Sequence, residues 1–313
     1  MNVPEPEQIP DDLSELDDFL ADREAAHSLK PGAEAGIAWQ ADKCHRQSEY
    51  ALVYLHGFRA SHAEGDPVHR KIADYLGANL FLSRHREHGV KADNPLRELT
   101  EEKLMESARF AYAVGRKIGR KVILMGCSTG GSLALYLAGQ PLFKEKISGL
   151  ILYSPLIRFF GITEKCLHYS LSRTILGCIP GKSYRMQTPQ STRAEDRIWN
   201  ASYALQGALA LGAFISHHMN PALFKQIECP VFVGYYYKNM REQDKVVSVP
   251  AIRFLIRQLR KNAHAVYEAN FPNAQFHVIC SALVSKSVEA VIRETQLFFE
   301  SVGLHGVNSK SPF

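Results

Sequence analysis

Six cysteines lie scattered through 313 residues, at positions 44, 127, 166, 178, 229 and 280, without one Cys-x-x-Cys pair. A Cys166–Cys178 bridge is allowed by spacing, but nothing in the sequence motivates it. The first residues, "MNVPEPEQIPDDL", hold neither a basic n-region nor an apolar h-region, so no secretory signal is expected. These two absences favour reduced thiols in a cytoplasm. Runs of Lys and Arg are also missing. The net charge is +5, yet residues 1–30 carry nine acidic and two basic side chains, a balance of −7. The +12 that remains is spread along the chain, and no nucleic-acid partner is expected. Internal repeats and low-complexity tracts are absent.

Two motifs fail on inspection. "GCIPGKS" (Gly177–Ser183) encloses three residues between its glycines where a phosphate loop needs four, and no clear strand precedes it. His56, His62, His69, His85 and His88 resemble a metal cluster on paper. None of them joins an acidic ligand at zincin spacing and they fall on different elements, so no metal is expected. His217 and His218 are adjacent, and would point to different faces of a helix.

What is present is ordinary for a globular protein, with 46% hydrophobic and 22% charged residues. Apolar β-type runs alternate with helical patterns. Strands are expected at Ala51–Leu55, Asn79–Ser83, "KVILM", Ile147–Ser154, Val231–Tyr237 and His264–Asn270. Helices are expected at Val68–Gly77, from Thr100 to about Gly119, in "GGSLALYLAG", and near Val249–Leu259 and Lys286–Val302. Strands so continuously apolar indicate a mostly parallel sheet with helices on both faces, an α/β fold. The alternation breaks between Pro155 and Pro230, where about seventy residues, including a helix-like Ala201–Ile215, suggest an inserted cap. The division expected is therefore an acidic N-terminal helical segment (1–32), a core (33–155 and 229–303), a cap (156–228) and a flexible tail (304–313). Leu13, Leu16, Phe19 and Leu20 share one face of the N-terminal helix, which either caps the core or meets a partner.

One stretch lacks charge altogether: "VILMGCSTGGSLALYLAG", Val122 to Gly139. A membrane span would have to carry three glycines through its middle, and a strand followed by a core helix accounts for the composition without one. Gly126-Cys127-Ser128-Thr129-Gly130 is G-x-S-x-G between that strand and that helix. The turn is so sharp that side chains two positions either side of the nucleophile would collide. Glycine stands at both places around Ser128, but Met125 and Thr129 stand there around Cys127. The count selects Ser128.

A serine hydroxyl needs a base, an orienting acid and an oxyanion hole. In chain order, Asp244 lies in a loop after the strand ending near Tyr237, and His277 in a loop after the strand ending near Asn270. Asp244 is the expected acid and His277 the expected base; Glu242 shares the acid loop and is the alternative acid. His264 opens the last strand and belongs at the opposite sheet edge. "YLHGF" (Tyr54–Phe58) supplies a loop in which His56 and Gly57 precede the Phe58 amide, one oxyanion donor; the Thr129 amide is the other.

From about Tyr50 to Phe298 the chain resembles the α/β-hydrolase superfamily, in particular bacterial carboxylesterases and monoacylglycerol-lipase-like serine hydrolases. The resemblance rests on the "HGF" loop, the "GCSTGG" elbow, the "DKVVSV" acid loop and the "FHVI" histidine loop. It implies an eight-stranded-type sheet, a cap before the acid-bearing strand and no cofactor. "SRHREHGV" (Ser83–Val90) is similar to the family's Gly-His-Gly segment but has Glu87 where glycine is usual, and the histidine loop lacks the small residue often found before the base. The expected function is cleavage of a small-molecule carboxylic ester. The same residues would serve a monoacylglycerol-type lipase, a thioesterase or an acyltransferase. A non-catalytic ligand-binding homologue is the rival from another class. An apolar Tyr203–Ile215 docked on lipid is a third reading, although no stable membrane insertion is expected.

Overall fold

A strand apolar at every position has no side to give to water, so it must be covered on both. The computed structural model, which describes residues 9–41, 44–161, 167, 185–187, 192–262 and 265–305, solves this with two helical layers. The strands are β1 (Gly36–Ala38), β2 (Ser48–Leu55), β3 (Asn79–Leu82), β4 (Gly119–Cys127), β5 (Ile147–Tyr153), β6 (Arg185–Gln187), β7 (Ser202–Ala204), β8 (Val231–Tyr235) and β9 (Val266–Asn270). Seven of them form one sheet in the order β1-β3-β2-β4-β5-β8-β9, while β6 and β7 pair separately. All neighbours in the large sheet are parallel except β1, which runs antiparallel to β3 with Gly36 opposite Leu82.

The helices are α1 (Leu16–Ala25), α2 (Val68–Leu76), α3 (Glu101–Ile118), α4 (Thr129–Ala138), α5 (Pro141–Lys144), α6 (Arg193–Ile198), α7 (Leu205–His218), α8 (Pro221–Phe224), α9 (Val249–Leu259) and α10 (Val288–Ser301). The period-2 pleat sorts strand side chains between two cores. Ala51, Val53, Leu55, Val122, Leu124, Leu150 and Leu152 join the core under α3, α4, α7 and α9. Leu52, Tyr54, Ile123, Met125, Cys127, Ile151 and Tyr153 join the core under α2 and α10. Cys127 therefore points to the face opposite α4, and it is fully buried there.

Several expectations need revision. The described residues form a seven-stranded sheet rather than eight, and β1 escaped notice because three half-buried residues are too short to show a period. The strand expected to reach Tyr237 stops at Tyr235, and β9 is described from Val266; His264 lies outside the described residues, as do Cys166, Cys178 and Gly177–Ser183. The N-terminal segment covers the core: Leu16 and Leu20 are buried in it, Phe19 packs on Phe110, and the buried Glu24 pairs with Arg84. The apolar helix of the long interruption begins at Leu205, after β7. Its Ala210, Leu211, Phe214 and Ile215 enter the core beside α3 and α4, and Leu205, Ala208 and Leu209 form a small cluster with Leu167, Met186 and Tyr203. Among the described residues no helix is long and apolar enough to cross a membrane.

One consequence of this order positions everything that follows. The chain steps from β2 outward to β3 on one side, but from β4 outward to β5, β8 and β9 on the other. The loops after β2 and β4 therefore diverge and open a crevice at the carboxyl edge, where ligands of open α/β sheets bind.

Candidate active site

β4 ends in an elbow. Ser128 has φ 54° and ψ −115°, a conformation costing about 1–3 kcal/mol that the surrounding contacts must hold. Its N–H donates to the Tyr153 carbonyl at 2.9 Å, and its own carbonyl accepts from Leu156 at 3.1 Å. A Cβ on Gly126 would lie 2.3 Å from the Gly130 backbone, and one on Gly130 only 1.8 Å from the Leu55 carbonyl oxygen. Both glycines are there because the elbow is packed backbone against backbone. Thr129 opens α4, so its amide is among the four that have no intrahelical acceptor.

Asp244 and His277 meet at the same edge. His277 Nδ1 lies 2.6 Å from Asp244 Oδ2, and Asp244 Oδ1 accepts the amides of Val246 and Val247 at 2.8 and 3.0 Å. The carboxylate is 1% exposed and therefore fixed on both oxygens. Glu242 is bound elsewhere, to Lys238 at 2.9 Å and Asn239 at 2.8 Å, on the exposed side of the loop. His277 Nε2 is buried and has no hydrogen-bond partner among the described residues. Ser154, at φ 43° just after β5, donates its hydroxyl to the His277 carbonyl at 2.8 Å and its N–H to Gly234 at 2.7 Å, tying the histidine loop to the sheet edge.

The loop after β2 is held from beneath. Register pairs Leu55 with Gly126, so His56 and Gly57 emerge beside the elbow. His56 Nε2 accepts the His85 amide at 3.1 Å, which assigns the ring proton to Nδ1, and Nδ1 donates to the Gly57 carbonyl at 2.9 Å. His85 Nε2 in turn donates to the His56 carbonyl at 2.9 Å. With His88 these rings form a fully buried cluster, and burial drives all three toward the neutral form: His85 to about 3, His88 to about 4 and His56 well below its ordinary value. Phe58 stacks edge-on against Tyr203, with centroids 5.2 Å apart. No group of three or more potential metal ligands converges among the described residues.

Three contributors were not legible in the sequence. Ser154, Glu64 and Trp199 have no motif around them. Glu64, 1% exposed, accepts the Gly57 N–H and the Trp199 indole N–H at 3.1 Å, and burial raises its carboxyl to about 7 despite these donors. It lies 135 residues from Trp199, so no local pattern could have announced the contact. His217 and His218, expected on different faces of a helix, both reach Glu101 at 3.0 Å.

No protein-family model matches the sequence, and no curated protein matches it. Solved structures do resemble it in shape. One is reported among LipS and LipT, two metagenome-derived lipolytic enzymes: 16% identity, a TM-score of 0.67, and coverage of 88% of this chain and 100% of that one. A soluble variant of the monoglyceride lipase from Saccharomyces cerevisiae gives 17%, 0.57, 86% and 93%. Est1E from Butyrivibrio proteoclasticus, with ferulic acid bound, gives 16%, 0.54, 86% and 95%. A sheet of this order, a sharp glycine-flanked elbow after its central strand and these neighbours together define the fold of the chain as that of the α/β-hydrolases.

Proposed function

We propose that the protein is a serine hydrolase of carboxylic esters, with Ser128 as nucleophile, His277 as general base and Asp244 as the acid that orients it. The observation that carries the reading is the pairing, at one sheet edge, of a strained elbow serine with a 2.6 Å Asp–His couple whose outer nitrogen is unbound among the described residues. His277 Nε2 takes the Ser128 hydroxyl proton as Oγ attacks the ester carbonyl. Asp244 keeps the imidazole proton on Nδ1 and stabilises the imidazolium. The Phe58 and Thr129 amides receive the oxyanion. His277 then protonates the leaving alcohol, and a water it deprotonates releases the acid from Ser128. Two of the structural neighbours are a lipolytic enzyme and a monoglyceride lipase, and both fall in this reaction class. Residues 156–228 form the cap in this reading and carry eight Lys/Arg against four Asp/Glu. Short-to-medium acyl esters of uncharged or anionic alcohols are the expected substrates.

Fluorophosphonate labelling followed by peptide mapping tests the nucleophile. Wild type and Cys127→Ala should label at Ser128, and Ser128→Ala should not. Labelling that survives Ser128→Ala and vanishes in Cys127→Ala ends the proposal. A series of p-nitrophenyl esters from about two to sixteen carbons tests the substrate class. A rise in kcat/KM up to the longest chain points to a lipase acting at an interface.

A further inference from the structure

The oxyanion loop rests on a carboxyl group that the mechanism above does not use. Glu64 sits in the 3₁₀ turn His62–Gly65, and its two oxygens would lie 3.2 and 3.3 Å from a Cβ on Gly57. Ser128 Cβ would lie 3.5 Å from that same point. The carboxyl group and the side chain of the proposed nucleophile thus both pack close to Gly57. Three donors converge on Glu64: the Gly57 N–H, the Trp199 indole at 3.1 Å and the Tyr54 hydroxyl at 3.4 Å. Trp199 comes from the middle of the long interruption. Its neighbours are themselves bound to the oxyanion loop, by Ser61 N–H to the Ile198 carbonyl at 3.0 Å, Asn200 N–H to the Arg59 carbonyl at 2.9 Å and the Arg59 guanidinium to the Asn200 carbonyl at 2.7 Å.

Two of the three donors are N–H groups, which cannot reverse direction. A carboxylate, which only accepts, satisfies all three. The protonated acid would bring an O–H into a cage of donors. We propose that Glu64 is a positioning residue: as a carboxylate it pulls on the Gly57 amide and so aims the next amide, that of Phe58, at the oxyanion formed on Ser128.

This inference rests on Ser128 being the nucleophile. The groups facing Glu64 are Tyr54 from β2, Arg59 from the loop, Cys127 from β4 and His277 from the histidine loop, with Cys280 behind Tyr54 and Cys127. His277 and Arg59 favour the charged form, whereas burial opposes it strongly enough to bring the ionisation to about 7. Catalysis therefore needs the Glu64 carboxylate in addition to an unprotonated general base.

Steady-state kinetics of wild type, Glu64→Gln and Trp199→Phe between about pH 5.5 and 9 test this, with thermal melts confirming folding at each pH. In wild type the acid limb of log kcat/KM should steepen toward a slope of about 2, and in Glu64→Gln it should relax to about 1. Glu64→Gln should lower kcat by about 10- to 100-fold with KM changed less than about threefold, because a misaimed oxyanion donor is felt in the transition state. Trp199→Phe removes a donor to the carboxylate and should move the acid limb up by about 0.5–1 pH unit. It carries the test if Glu64→Gln does not fold. A wild-type slope of 1, an unchanged kcat in Glu64→Gln or an unmoved limb in Trp199→Phe overturns the proposal. Fluorophosphonate labelling of wild type at Ser128 separates the failures. If Ser128 labels and the variants behave as wild type, only the role of Glu64 falls; if it does not label, both readings fall.

Discussion

Asp244 and Glu242 stand two residues apart and carry the same functional group, yet their surroundings differ completely. Asp244 is buried, with one oxygen on two backbone amides and the other on His277. Glu242 is tied to Lys238 and Asn239 in the open, where water screens such pairs. Asp244→Asn should therefore lower kcat by about 10⁴-fold, since the amide favours the wrong imidazole tautomer, while Glu242→Gln stays within about twofold. Comparing the two in one steady-state assay checks the proposed acid, and a crippled Glu242→Gln would transfer the role. The sequence favoured Asp244 but kept Glu242 as an alternative, because chain order fixes a loop, not a residue. A local signal did exist: an Asp whose side chain caps the amides two and three positions on is a recognised turn. No such signal exists for Glu64, whose partners are Tyr54 in β2, Gly57 just after it and Trp199, 135 residues on.

At the scale of an element, the elbow is legible where the demand is steric and local. Gly126 and Gly130 announce themselves because backbone meets backbone there. The cap of α3 was legible for a similar reason: Thr100 accepts the Lys103 amide at 3.1 Å, as a threonine before two glutamates suggests. β1 was not, for its three residues gain their strand geometry from β3 and not from their own pattern. Gly130 and Gly131 make an internal control. An alanine at 130 drives its Cβ into the Leu55 and His56 carbonyls, whereas at 131 the nearest atom is 3.0 Å away on the Pro155 ring. Gly130→Ala should cost on the order of 3 kcal/mol. Gly131→Ala should lie near neutral, since helix propensity offsets the tight contact. Urea unfolding of both variants measures the difference, and equal stabilities would mean that the elbow yields more easily than its packing suggests.

For the molecule as a whole, alternation of apolar strands and helices was enough to give the layered sheet, but not what the sheet would enclose. The five histidines that looked like metal ligands are instead a neutral, buried group. His69 and His85 are held to about 3 and His88 to about 4, chiefly by burial. An unfolded chain binds these protons near pH 6.5, and the folded one does not until far lower. Their contribution is thus complete above about 6.5 and is lost as pH falls, by about 2 kcal/mol each at pH 5. Glu64, raised to about 7, works in the opposite sense over the same range and offsets roughly one of them. Melting temperature should accordingly fall steeply between pH 6.5 and 5, and a flat profile across that interval would contradict the neutral histidine cluster. Every one of the eighteen residues of the uncharged stretch Val122–Gly139 is buried. It also makes the hazard of this fold. The nearest charges in sequence are Lys121 on one side and Lys144 on the other, so no gatekeeper interrupts it. A chain that opens around β4 presents a long apolar strand to its neighbours, and self-association then competes with refolding. Variants weakened anywhere near the elbow will be lost first as soluble protein, and their activity per cell will fall well before their activity per molecule does.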